Sequence, residues 1–403
     1  MEPETQNAPQ DTGNGSGNGS GGVVKTVIWL VVLVLIVGGL ILYGSKKDEG
    51  EGAMTKEPIK IGVMLPLTGD GAPYGEPARN VYLLAVGEIN AAGGINGQPI
   101  EFIIEDSKCN GKDATSAAQK LISVNKVQII LGGFCSSESI AATPIAETAK
   151  VALFSPGSSS PDLTGISPYF FRNYPSDASQ GAVLAEAAAA KGWKKVAFLQ
   201  EQTDYALGVY KAFSTRFTEL GGTIVKEEVP SNTTDFRSVL TKLKAANADA
   251  FFLDPQTLPV AERVFKQMQD LKWKPVLLIN DVIGGAPEPL GAYKDVMEGA
   301  LTALFTADPN NPKYLELLTD YKAKYGADLL YGTSYGPTEY DAVYIIKAGI
   351  EAVGNNGEKF AVWSRTIKDW EGASGKTTIG SDGDRVGGHT LKVMKDGKVE
   401  AVK

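Results

Sequence analysis

VQIILGGFCSSES, residues 127–139, packs three kinds of information into thirteen positions. Its first five residues form a short apolar run of strand length. Two glycines then break the run, and from Ser137 to Lys150 the pattern reads as a helix. Apolar strand, tight turn and helix is the repeating unit of an α/β protein. The serines at the junction have three readings: a catalytic motif, a helix cap or a ligand cradle.

The unit recurs in both directions along the chain. "IKIGVMLP" from Ile59 reads as a strand, Glu76 to Ala92 as a helix, "PIEFIIED" as a strand and Asp113 to Val124 as a helix. "VALFSP" follows as a further strand. After "YFFRNYPSD" the rhythm restarts. Helices are expected at Ala178–Lys191, Tyr205–Leu220, Phe236–Ala246 and Pro259–Leu271, with strands at "KKVAFLQ", "GTIVKEEV", "ADAFFLD" and "KPVLLIN" between or after them. Such alternation favours parallel sheets with helices on both faces, and the restart near Asp177 predicts two of them. Two more helices, Pro312–Tyr325 and Thr338–Val353, precede "GHTLKVMKDGKVEAV", which reads as a hairpin turning at "KDG".

The amino-terminal region differs. Residues 1–22 end in "TGNGSGNGSGG" and can build no core, so a disordered tail is expected. Residues 23–45 contain the uncharged run Thr26–Ser45, long enough for one transmembrane helix and read as an uncleaved anchor. Residues 46–57 read as a charged linker. Lys25 faces Lys46 and Lys47 across the run, a bias of one residue toward a cytoplasmic binding domain. The disulfide reading below points the other way.

Totals narrow the function further. The 403-residue chain has a formal charge of −8, which argues against nucleic acid as a partner. A single histidine, His389, leaves no His-based metal site to expect, and no cofactor motif is complete. "PLTGDGAPYG" lacks GxGxxG spacing, and "EGASGKT" has Trp370 where a Walker loop needs glycine. Cys109 and Cys135 each follow an apolar run. If the runs are neighbouring parallel strands, the cysteines lie beyond one sheet edge, where either a disulfide or two free thiols fits.

In parallel sheets ligands bind beyond the carboxyl ends of the strands, so the segments there carry the chemistry. Ser136 and Ser137 open a helix, whose N-terminus suits a carboxylate; the plainer role is capping. "SPGSSSPDL" adds Gly157, which permits close backbone approach, and Ser159, which offers N–H and hydroxyl. In the second half Tyr205 begins a helix and Asp281 ends a strand, where an acid suits an ammonium or serves a turn. Together these groups describe a site for a small zwitterion.

These stretches, taken in order with "IKIGVMLPLTGDGAPYG", "INAAGGINGQPIEFIIED", "FFRNYPSDASQG" and "TDYALG", resemble the leucine/isoleucine/valine-binding family of ABC transporter substrate-binding proteins over residues 58–395. The resemblance implies a two-lobed type I periplasmic-binding fold with three crossovers near Asp177, Phe305 and Lys376. Lobe 1 would comprise 58–176 plus 305–376, and lobe 2 residues 177–304 plus 377–403. It implies that Cys109 pairs with Cys135 and that Ser136 meets the ligand carboxylate. Gly157 and Ser159 would hold carboxylate and ammonium, Asp281 the ammonium, and Tyr205 would cover the ligand. Tyr74, Phe134 and Tyr335 fall where the family lines its side-chain pocket. Gln256 stands where branched-chain binders often carry an aromatic, which leaves the choice of side chain open.

The expected function is a membrane-anchored, extracytoplasmic receptor that binds a branched-chain or other aliphatic amino acid and hands it to ABC permease subunits. A small amide or urea as ligand, or a sensory ectodomain of the same fold, are the alternatives. A serine hydrolase would need His389 as base, yet His389 lies in the expected hairpin and no G-x-S-x-G is present. No enzyme is expected.

Overall fold

The computed structural model describes residues 56–402. The expected tail (1–22), the anchor (23–45) and the linker up to residue 55 lie outside the described residues. Among those described, no helix is long and apolar enough to cross a membrane.

Two sheets organise the chain. The first holds β1 (Ile59–Leu65), β2 (Ile100–Asp106), β3 (Ile129–Leu131), β4 (Ala152–Ser155) and β5 (Phe170–Arg172), in the order β2-β1-β3-β4-β5. Every pairing in it is parallel. The second holds β6 (Lys195–Glu201), β7 (Thr223–Val229), β8 (Ala250–Asp254), β9 (Leu277–Ile279) and β10 (Leu301–Leu304), parallel and in the matching order β7-β6-β8-β9-β10. Between β10 and the end come helices Pro312–Tyr325, Tyr335–Val353 and Gly357–Ser364, then a small ribbon of β11 (Trp370–Gly372) and β12 (Gly375–Thr377). The chain then returns to the second sheet as the hairpin β13 (Thr390–Lys395) and β14 (Lys398–Ala401), with β13 antiparallel to β10. Asp396 and Gly397 form its turn at positive φ (50° and 75°), as a two-residue hairpin loop requires.

Side-chain alternation explains the layering. Ile61, Val63 and Leu65 of β1 face one core, while Met64 faces the other. The first core also takes Ala78 and Tyr82 from helix Ala72–Ala91, together with Ile346 and Phe360 from the late helices. Phe360 packs on Phe171, which stacks on Phe154 at 4.3 Å. Helices Gly111–Ser123 and Ser136–Ala149 cover the opposite face through Leu121, Ala142 and Ala146. In the second lobe Phe198, Phe213 and Phe252 cluster at 4.5–5.8 Å.

Several element starts differ from expectation, each for a local reason. Helix Ala72–Ala91 begins before Glu76, because Pro73 is tolerated in a first turn where its missing N–H costs nothing. Gly75 lies inside that helix, where a Cβ would sit 2.1 Å from the Pro66 carbonyl oxygen. Strands β5, β10, β11 and β12 and helix Gly357–Ser364 were not anticipated; β3, β4 and β9 are as short, but apolar neighbours lengthen their pattern.

Candidate functional site

Both sheets share an order that reverses beside their first strand, and both point the carboxyl ends of their strands at one cleft. The expected site residues descend from that geometry. Phe134 and Ser136 follow β3, Gly157 and Ser159 follow β4, Tyr205 follows β6, Gln256 follows β8 and Asp281 follows β9. Tyr74 lies in the first turn of the helix after β1, and Tyr335 begins helix Tyr335–Val353. Eight of these nine line one pocket, together with Cys135 and Val282, whereas Asp281 lies beside it.

The disulfide between Cys109 and Cys135, with Cα atoms 5.3 Å apart, ties the loops after β2 and β3. Glu138 reinforces it: one carboxylate oxygen accepts from the Cys109 N–H (2.8 Å) and the other from the Cys135 N–H (2.9 Å). Ser136 is thereby held against the neighbouring loop. Its hydroxyl oxygen accepts from the backbone N–H of Ser159 (3.3 Å) and of Ser160 (3.0 Å). A serine hydroxyl has two acceptor positions and one donor, so what remains is the donor, the group a carboxylate seeks. Arg172, fully buried, secures the second loop by donating to the carbonyls of Ser158 and Ser160 (3.1 and 2.9 Å). It is itself held by both oxygens of Asp384. Gly157 is required where it stands, since a Cβ would meet the Phe134 ring at 2.9 Å.

Asp281 opens the short helical segment Asp281–Gly284. Its Oδ1 accepts from Tyr205 (2.5 Å), and its Oδ2 accepts from Tyr174 and Tyr335 (2.8 Å each). Burial pushes all three phenols well above their usual range, so they remain donors. A carboxylate offers about four acceptor positions, which leaves one on Oδ1. Tyr74, Phe134 and Tyr335 form the apolar wall, with ring centroids 4.9–6.3 Å apart. The Tyr74 hydroxyl donates across the cleft to the Gln256 carbonyl (2.6 Å). The space between these groups is about 20 Å³, room for one water, so a larger guest requires the lobes or the aromatic side chains to part.

The floor of the cleft is acidic. Asp177 and Asp254 are fully buried, each with one oxygen lacking a hydrogen-bond partner. Burial raises both, and the neighbouring Asp281 charge adds to the effect. Donor atoms of Asp177, Asp281 and His389 lie within 4.8 Å of one another, the one grouping among the described residues able to hold a metal ion. Burial lowers His389 to about 4, so its imidazole is neutral. Its Nδ1 lies 2.6 Å from the Ser179 hydroxyl, and it bonds neither Ser136 nor Ser159. Tyr174, Asp177 and Glu138 escaped sequence reasoning. All three lie in stretches that had been singled out, but nothing local shows that Tyr174 reaches Asp281, 107 positions away.

A family model described as periplasmic binding protein matches residues 58–397. The leucine-, isoleucine-, valine-, threonine- and alanine-binding protein of Pseudomonas aeruginosa is 28% identical over 335 residues, covering 82% of this chain and 88% of that protein. Leu/Ile/Val-binding protein homolog 8 of Brucella melitensis is 30% identical over 343 residues, covering 79% and 83%. Among solved structures, the leucine binding protein LivK of Thermotoga maritima superposes with a TM-score of 0.77 at 28% identity, covering 86% of this chain and 98% of that one. The branched-chain amino acid transporter substrate binding protein LivJ of Streptococcus pneumoniae, in complex with isoleucine, gives 0.76 at 28% identity, covering 85% and 98%.

Proposed function

Because the chain belongs to the periplasmic binding protein family, whose members are solute-binding proteins rather than enzymes, we propose that it captures a branched-chain or other aliphatic α-amino acid between its lobes. The observation that carries this reading is a matched pair: the unused donor of Ser136 on one lobe, and the unused acceptor of Asp281 on the other. A zwitterion presents the complement of both. Gly157 and Ser159 complete the carboxylate side, Tyr205 covers the ligand, and Tyr74, Phe134 and Tyr335 take an aliphatic side chain. Relatives named for binding leucine, isoleucine and valine support the assignment.

The lobes, 58–176 plus 305–376 and 177–304 plus 377–403, open and close about their crossovers. Residues 23–45 hold the protein in the membrane with the binding domain outside, where it delivers its ligand to the permease subunits of an ABC transporter. Calorimetric titration of the full chain against the common amino acids and small amides tests the ligand class. Heat with an aliphatic amino acid supports it, whereas binding of an amide with no α-amino acid overturns it. Protease added to intact cells should digest the domain and leave a short membrane-bound stub. Digestion only after permeabilisation would reverse the topology.

A further inference from the structure

Outside the aromatic pocket a second space opens between the lobes: a groove of about 670 Å³ beside the disulfide. Its charged lining is Asp70, Glu201, Asp204 and Glu228 against Lys108 alone. Asp70 is engaged by Arg263, Glu228 by Lys226, and Lys108 by Asp113. Glu201 and Asp204 make no ion pair among the described residues, Arg263 and Lys211 acting on them only at longer range, and Glu201 is only 3% exposed. The single hydrogen bond made by the Glu201 carboxylate comes from the Gln256 backbone N–H at 2.7 Å.

A second observation points to a missing donor. Gln200 Oε1, Gln256 Oε1 and Thr257 Oγ1 all lack partners, although their residues are 3%, 8% and 4% exposed and line this groove. Buried acceptors without donors are costly. Two amide oxygens, with a hydroxyl that can turn to accept, on residues that line the groove with the Glu201 carboxylate are complementary to a group with several N–H bonds and a positive charge.

Gln256 connects this groove to the inner pocket, for it lines both. Its amide nitrogen contacts only the Cys109 sulfur, at 3.1 Å, a weak acceptor that holds the side chain lightly. We propose that Glu201, Gln200 and Gln256 form a distal subsite for a cationic side-chain end, so that the site which takes aliphatic side chains binds a straight aliphatic stem more tightly when it ends in an ammonium or guanidinium. The inference rests on the zwitterion reading of the inner pocket. The stem lies along Tyr74 and Phe134, the Gln256 amide swings aside, and the cation meets the Glu201 carboxylate.

The test is titration of the full chain with lysine, ornithine and arginine against norleucine, which keeps the straight stem and lacks the charge. The expected result is at least tenfold tighter binding of one basic amino acid than of norleucine, with the difference abolished in Glu201→Gln. Burial holds Glu201 up to about 7, so near neutral pH the basic ligand should also release a proton that norleucine does not. Comparing heats in buffers of different ionisation enthalpy reads this release. Leucine or norleucine binding as tightly as every basic amino acid overturns the subsite and leaves the amino-acid reading standing. Absence of binding by any amino acid overturns both.

Discussion

Ser136 shows how a single hydroxyl can hold a loop and still keep its proton free. Its oxygen holds the loop after β4 through two N–H groups, while its proton stays available. Ser136→Ala should weaken amino-acid binding by about 1.5–3 kcal/mol, the range for a hydrogen bond to a charged group, and calorimetry should show a loss of roughly tenfold to a hundredfold. An unchanged affinity would mean that the carboxylate sits elsewhere. For Asp281→Ala the expected loss is larger, roughly 2–5 kcal/mol, because a desolvated charge loses its partner. The placement of these two residues at the cleft was legible in the sequence because they stand just past the ends of β3 and β9. Tyr174 and Glu138 were not legible. Each acts on a group that sequence distance hides, and a phenol or a carboxylate in a loop carries no mark of what it will touch.

Among the elements, the strand-helix rhythm was readable almost throughout, since buried parallel strands are apolar runs and their helices are long. What failed was the exceptional: β5, whose two apolar residues are followed at once by Arg172 and Asn173, and the proline-containing start of helix Ala72–Ala91. Contacts across the cleft belong to this level too. Gly208 on helix Asp204–Glu219 approaches the other lobe so closely that a Cβ would lie 2.7 Å from Pro161 and 2.9 Å from the Ser160 hydroxyl. Gly208→Val should therefore prop the cleft ajar. Affinity is expected to fall at least tenfold while the melting temperature hardly moves; a large loss of stability with normal binding by the folded fraction would refute this. The disulfide offers a contrasting case. It closes a loop spanning 26 positions, worth about 3 kcal/mol by chain entropy. Glu138 independently holds both cysteine N–H groups. Reduction should lower the melting temperature by several degrees yet preserve ligand binding below it, as calorimetry with and without reductant will show.

For the molecule as a whole, buried carboxylates set the response to pH. Burial raises Glu138 and Glu201 to about 7 and Glu339 to about 8, from 4.5 in the absence of burial. Above pH 6.5 the unfolded chain has already lost these protons and the folded chain still holds some. The folded state then binds more protons, so stability falls as pH rises, until all three have ionised. His389, lowered to about 4, works in the opposite direction, but only below its ordinary value of 6.5. Thermal unfolding without ligand should therefore show a melting temperature that drops between pH 6.5 and 8.5; a flat or rising curve would contradict the burial of these acids. The threading of the chain between the two sheets carries a further consequence, in the order of synthesis. All five strands of the first sheet have been synthesised by residue 172, yet Phe360, which covers Phe171, is added nearly two hundred residues later. The second sheet waits longer still, because its edge hairpin spans residues 390–401. A nascent chain of this protein thus carries an unfinished apolar face from residue 172 until residue 360 has been added, and surface of that kind is what chaperones bind.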